Sequence, residues 1–159
     1  MNKFFTNSLG LKLDIGEIVR EILHFMKAAE NHRYKIIIGS DSEASNGNPI
    51  DFATAIVIHR VGNGGRYFWR RIEHSRFHTL RDRIIQEVVL SLETAKEILM
   101  ALSDFDAPLF DFEIHVDIGE NGETKSMMQE VLGMIRAYNF EARTKPDSYA
   151  ASKVADRHV

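Results

Sequence analysis

Three apolar runs lie close together between Tyr34 and His74, and they constrain the fold more than any other stretch of the chain. "YKIIIGSD" (Tyr34–Asp41) is a short β-branched run that ends in turn chemistry. After the loop "EASNGNP" (Glu43–Pro49) comes a second run, "DFATAIVIHRV" (Asp51–Val61). The turn "GNGG" (Gly62–Gly65) then leads into "RYFWRRIEH" (Arg66–His74). An Asn-Gly step tolerates the positive φ that tight hairpins need. Three strands joined this way form an antiparallel meander, with the first strand continuous enough to be buried.

The flanking segments change period. Ile15, Ile18, Val19, Ile22, Leu23 and Met26 recur at helical spacing, which predicts an amphipathic helix from about Asp14 to Glu30. Leu80, Ile84, Val88, Leu92, Ala95, Leu99 and Leu102 form the stripe of a long helix over Thr79–Leu102. "FDFEIHVDI" (Phe110–Ile118) alternates as a fourth strand. A helix over Glu123–Asn139, a fifth strand over Phe140–Pro146 and a closing helix over Ser148–Val159 follow. The order is β-β-β-α-β-α-β-α with an extra helix in front. This is an α/β chain whose mixed five-stranded sheet is flanked by helices. The order does not resemble a doubly wound nucleotide fold, whose first strand would feed a helix directly. With 159 residues and no linker, one domain is expected, residues 1–33 forming a helical extension.

Composition narrows the function classes. There are no cysteines, which removes disulfides, thiol catalysis and cysteine-bound metals. No apolar run approaches the ~20 residues of a membrane span. "MNKFFTNSLG" lacks the sustained apolar stretch of a secretory signal, so a cytoplasmic protein is expected. The net charge of −3 hides an uneven distribution. Arg60, Arg66, Arg70, Arg71, Arg76, Arg81 and Arg83 fall in one stretch, opposed only by Glu73 and Asp82. That stretch is either a solvated hairpin face or a phosphate-contacting surface.

The carboxylates are the candidates for chemistry. Asp41 ends the first strand, sharing a face with Ile37 and Gly39. It is either a turn residue or a group half-inserted between core and solvent. Asp117 closes the fourth strand in the same manner. If the two strands are parallel neighbours, their ends bring two carboxylates together, and a cation is then needed to compensate the like charges. Magnesium suits this, since it takes few carboxylates and keeps positions for phosphate oxygens. Glu87 falls at the edge of the long helix's apolar stripe, either as a solvated flank residue or reaching a site on the sheet. Asp147, after Pro146, reads as a helix N-cap. Asp156 lies opposite Ala151, Val154 and Ala155 on the closing helix, where solvent is one reading.

"HVDIGENGETKS" (His115–Ser126) has the outline of a phosphate loop, but Thr124 stands where the glycine before Lys belongs. Glu120 and Glu123 would also put negative charge where phosphate should sit. Lys125 is better placed in the first turn of a helix, within reach of a substrate phosphate. His115 and His158 form no HxxxH or HExxH pair, so a zinc site has no support.

"IIIGSDSE", "HVDIGENGETKS" and "KPDSYAASKVADRH" resemble the YkuK-like family of ribonuclease H-like bacterial proteins, from roughly Tyr34 to the end of the chain. The resemblance implies a ribonuclease H-like fold and a site of four carboxylates holding two Mg²⁺ or Mn²⁺ ions. Asp41, Glu87 and Asp117 map onto the first three. "VADRH" makes Asp156 the fourth, with Asp147 as the fallback. The implied activity is a metal-dependent nuclease on RNA, an RNA–DNA hybrid or structured DNA, with Arg70, Arg71, Arg76, Arg81 and Lys125 gripping the backbone. The alternative is an inactive nucleic-acid-binding or protein-interaction module on the same fold.

Overall fold

The computed structural model describes residues 3–43, 49–74 and 79–159. Two short strands come first, β1 (Phe5–Asn7) and β2 (Lys12–Leu13), followed by helix α1 (Ile15–Lys27). A capping box starts α1: the Glu17 amide donates to Asp14 Oδ1 at 2.8 Å, and the Asp14 amide donates to Glu17 Oε1 at 3.2 Å. The meander is β3 (Tyr34–Glu43), β4 (Ile50–Arg60) and β5 (Gly65–His74). Gly62 and Gly64 in its second turn have φ of 78° and 83°, as the turn chemistry requires.

Helix α2 (Leu80–Leu102) is capped by Thr79, whose hydroxyl accepts from the Asp82 amide. Strand β6 (Asp111–His115), a 3-10 turn (Lys125–Met127), helix α3 (Met128–Ala137) and strand β7 (Glu141–Arg143) follow. The chain closes with a π-helix (Ala150–Ala155) and a 3-10 turn (Asp156–His158).

The sheet order is β2-β1-β5-β4-β3-β6-β7. The expected five strands are all present, and β3 pairs with β6 in parallel, as the carboxylate argument requires. The count of five is corrected to seven among the described residues. The first 33 residues, read as helical, also hold β1 and β2, and β1 pairs along β5. These strands are three and two residues long, too short to show a period in the sequence.

The two faces of the sheet are covered differently. Ile36, Ile38, Ile56, Ile58 and Phe68 pack with α1, α2 and α3 in one large core. The other face is covered by the closing π-helix: Ala150 packs on Ile37 and Val57, and Ala155 on Ala53 and Ala55. Small residues let this helix lie directly on the strands. Gly39 is the tightest point, since a Cβ there would sit 2.5 Å from the Ala151 nitrogen and 2.6 Å from the Ala150 carbonyl carbon. Gly39→Ala should therefore cost about 2 kcal/mol by overpacking. Thermal unfolding of that variant should begin ~4–8 °C lower. An unchanged midpoint would show that the helix is not seated as described.

Candidate functional site

The last paired positions of β3 and β6 are Gly39 and His115. Asp41 and Asp117 each lie two residues further on in the same direction. Asp41 does not end its strand as expected but sits inside β3, paired with Ala53, because β4 extends the ladder to Glu43, whereas Asp117 lies beyond the end of β6. Asp41 is 9% exposed. Its Oδ1 accepts from the Ser42 amide at 2.8 Å, and the Asp156 carboxyl is near enough to act on it electrostatically. Burial first, then the neighbouring Asp156 carboxyl and the charge of Asp117, push Asp41 up to about 7, against the opposing Ser42 amide.

Glu87 reaches the site from α2. It is 5% exposed, and its Oε2 accepts from Ser42 Oγ at 2.5 Å. Arg83, one turn earlier, donates from Nε to the same hydroxyl at 3.1 Å and from Nη2 to the Ser42 carbonyl at 3.3 Å. Burial raises Glu87 to about 8, with Asp41 and Asp117 adding to the rise; the Ser42 bond and Arg83 oppose it. Asp117 is half-buried. Its Oδ1 is shielded and makes no hydrogen bond, although Lys145 Nζ stands 3.4 Å away at ion-pair distance.

Asp156 opens the terminal 3-10 turn and is exposed. Its turn is held down by His158, whose ring stacks on Trp69 at 4.1 Å between centroids and 5° between planes. Asp117 thus acts on both Asp41 and Glu87, Asp41 on Glu87, and Asp156 on Asp41. Asp147 does not join them. It lines a separate recess of about 350 Å³ with Lys35, Glu113, His115, Arg143, Pro146 and Tyr149. The expected N-cap role of Asp147 is also not observed, for the closing helix has no side-chain cap from its own segment.

Among the described residues, no group of three or more His, Asp or Glu side chains is arranged closely enough to hold a metal ion. The acids feel one another's charge without forming a ligating cage. Ser42 and Lys145 complete the site and were missed in the sequence, and Arg83, read there as part of the basic stretch, holds Ser42 instead. Ser42 was the most accessible of them, being adjacent to Asp41, but nothing local says that its hydroxyl meets a glutamate 45 residues away.

The basic residues separate into three groups. Arg70 is corrected: it is buried, with its guanidinium 4.4 Å from the Phe5 ring centre, and burial holds its pKa below the usual arginine value. It alternates in phase with Phe68, which places it on the core face of β5. Arg71 and Arg81 are exposed and ion-paired, with Asp51 and with Glu130. Lys125 is exposed at the start of its 3-10 turn. Arg76 lies outside the described residues.

Beneath the closing helix, Glu113 and His115 form a buried pair, Nε2 to Oε1, at 3.0 Å. Burial tends to raise Glu113, but hydrogen bonds from His115 and Lys35 outweigh it and hold the carboxyl below its ordinary value. Among the described residues no helix is long and apolar enough to cross a membrane.

Comparison with known proteins gives a consistent result. A family model described as Ribonuclease H-like matches residues 17–159. The chain is 32% identical over 167 residues to "Uncharacterized protein YkuK" of Bacillus subtilis (strain 168), covering 96% of this chain and 95% of that protein. No solved structure matches.

Proposed function

The chain belongs to the ribonuclease H-like family, and from that premise we propose that it is a metal-dependent nuclease whose site is Asp41, Glu87, Asp117 and Asp156. The observation that carries the reading is the parallel β3–β6 register, which carries buried Asp41 toward Asp117 with its shielded, unbonded Oδ1, beside buried Glu87. Acids packed this way need positive charge among them. Their all-oxygen donor set fits Mg²⁺ or Mn²⁺. Two such ions, when bound, supply charge stabilisation to the attacking and leaving oxygens of a phosphodiester.

The remaining work falls to the chain. Asp41 and Asp117 are fixed by the strand register. Ser42 and Arg83 orient Glu87 from α2, and the Ala-lined closing helix presents Asp156. Lys145 neutralises Asp117 and is long enough to turn to a substrate phosphate instead. Arg71, Arg81 and Lys125 position RNA, an RNA–DNA hybrid or structured DNA by backbone contacts. Arg71 and Arg81 exchange their exposed carboxylate partners for phosphate at little cost, because exposed ion pairs contribute little to stability.

Calorimetric titration with Mn²⁺, paired with cleavage of labelled RNA, hybrid and branched DNA, tests the proposal. Binding at millimolar Mn²⁺ or tighter is expected, with cleavage that stops on chelation. Absence of Mn²⁺ binding at those levels would sink the metal site. One observation favours a second reading, a binding module without turnover: the acids are not gathered into a ligating cage. Salt-sensitive nucleic-acid binding without Mn²⁺ binding would select it.

A further inference from the structure

The helix that brings Asp156 to the other acids is six residues long and lacks a side-chain cap of its own. A helix start leaves backbone amides without intrahelical partners, and an unmet buried amide is costly. Ala150 is fully buried. Its amide is met from another element, donating to His115 Nδ1 at 3.2 Å. An amide nitrogen is a donor only, so Nδ1 must offer its lone pair and the ring proton must lie on Nε2. Nε2–H then donates to Glu113 Oε1 at 3.0 Å. Glu113 is 3% exposed and is also held by Lys35 at 3.2 Å and Arg143 at 3.5 Å. Tyr149 packs edge-on against the imidazole, 4.9 Å between centroids, and closes the arrangement.

We propose that His115 is a positioning residue: it caps the closing helix from strand β6, Glu113 fixes the tautomer in which it does so, and together they set the approach of Asp156 to Asp41. The chain of contacts runs from the sheet interior to the acids in three steps. Glu113 orients His115, His115 holds the Ala150 amide over Gly39, and the helix ends at Asp156. Only the last step rests on the carboxylate site proposed above. The cap itself stands on hydrogen-bond geometry alone.

The test uses the whole chain and two variants. Nitrogen NMR of the wild-type imidazole should show Nδ1 unprotonated and Nε2 protonated; the opposite tautomer overturns the cap. His115→Phe keeps a planar ring and removes the acceptor, whereas His115→Asn keeps an acceptor near the Nδ1 position. In His115→Phe the Ala150 amide should exchange with solvent about 10-fold faster or more, and Mn²⁺ affinity should fall about 10–100-fold. His115→Asn should restore both to within about threefold of wild type. A purely packing role predicts no such rescue, so equal losses in the two variants overturn the proposal, as does unchanged Ala150 exchange in His115→Phe. If His115→Phe does not fold, the wild-type tautomer and His115→Asn decide. If wild-type protein binds no Mn²⁺, the carboxylate reading fails, while tautomer and exchange still judge the cap.

Discussion

Asp41→Asn and Asp117→Asn should each reduce Mn²⁺-dependent cleavage by about 10³-fold or more, since charge stabilisation at such sites supplies several kcal/mol and each 1.36 kcal/mol is tenfold in rate. The Asn at position 41 keeps an oxygen to accept from the Ser42 amide, so the local geometry is preserved. It also removes one of the crowded charges. Metal-free Asp41→Asn should therefore unfold at a higher temperature than wild type at about pH 8, the reverse of its effect on activity. Cleavage assays and thermal denaturation on the same samples check both halves. Unchanged cleavage in either variant would remove that residue from the site.

Metal-free wild-type protein should lose stability on the order of 2–3 kcal/mol between about pH 5.5 and pH 8.5. The folded chain raises Asp41 from 3.8 to about 7 and Glu87 from 4.5 to about 8, chiefly by burial. Both groups bind their protons more tightly folded than unfolded. Their stabilising contribution is complete below the unfolded values and is lost as pH climbs through 7 and 8. His115 and His158, both held below the usual histidine value by burial, act in the opposite direction at the acid end of this window. The informative quantity is thus the difference between wild type and Glu87→Gln in urea denaturation at each pH. Glu87→Gln should show a shallower decline, and Mn²⁺ should restore wild-type stability at the alkaline end. A wild-type decline no steeper than that of Glu87→Gln would contradict the burial of Glu87 as an acid.

The meander was legible because Tyr34–Asp41 and Asp51–Val61 are long β-branched runs and Gly62–Gly65 has specific turn chemistry. The convergence of Asp41 and Asp117 was also legible, for a parallel neighbour follows from element order. Glu87 could be placed only at a stripe edge; its contact with Ser42 depends on how far α2 tilts over the sheet, which periodicity does not encode. Arg70 shows the reverse case. Its in-phase neighbour Phe68 signalled the core face, but the charge run around it drew attention to the surface. The Glu113–His115–Ala150 chain joins residues 35 positions apart and leaves no local pattern. The closing segment reads as an ordinary helix because its Ala-rich composition does not distinguish a π-helix from an α-helix.

The strands at the two margins of the sheet carry a consequence for colloidal behaviour. One margin is Lys12–Leu13 and the other is Glu141–Arg143, the latter with its two charged side chains paired to each other at 2.6 Å. Neither offers the long, flat, apolar rim on which a second molecule could extend the ladder. The longest strand, β4, is enclosed along its length by β3 and β5, and β3 has neighbours on both sides over Lys35–Gly39. The short marginal strands thus limit edge-to-edge pairing at the two rims, while the outer side of ten-residue β5 is covered by β1 only at Phe68 and Trp69.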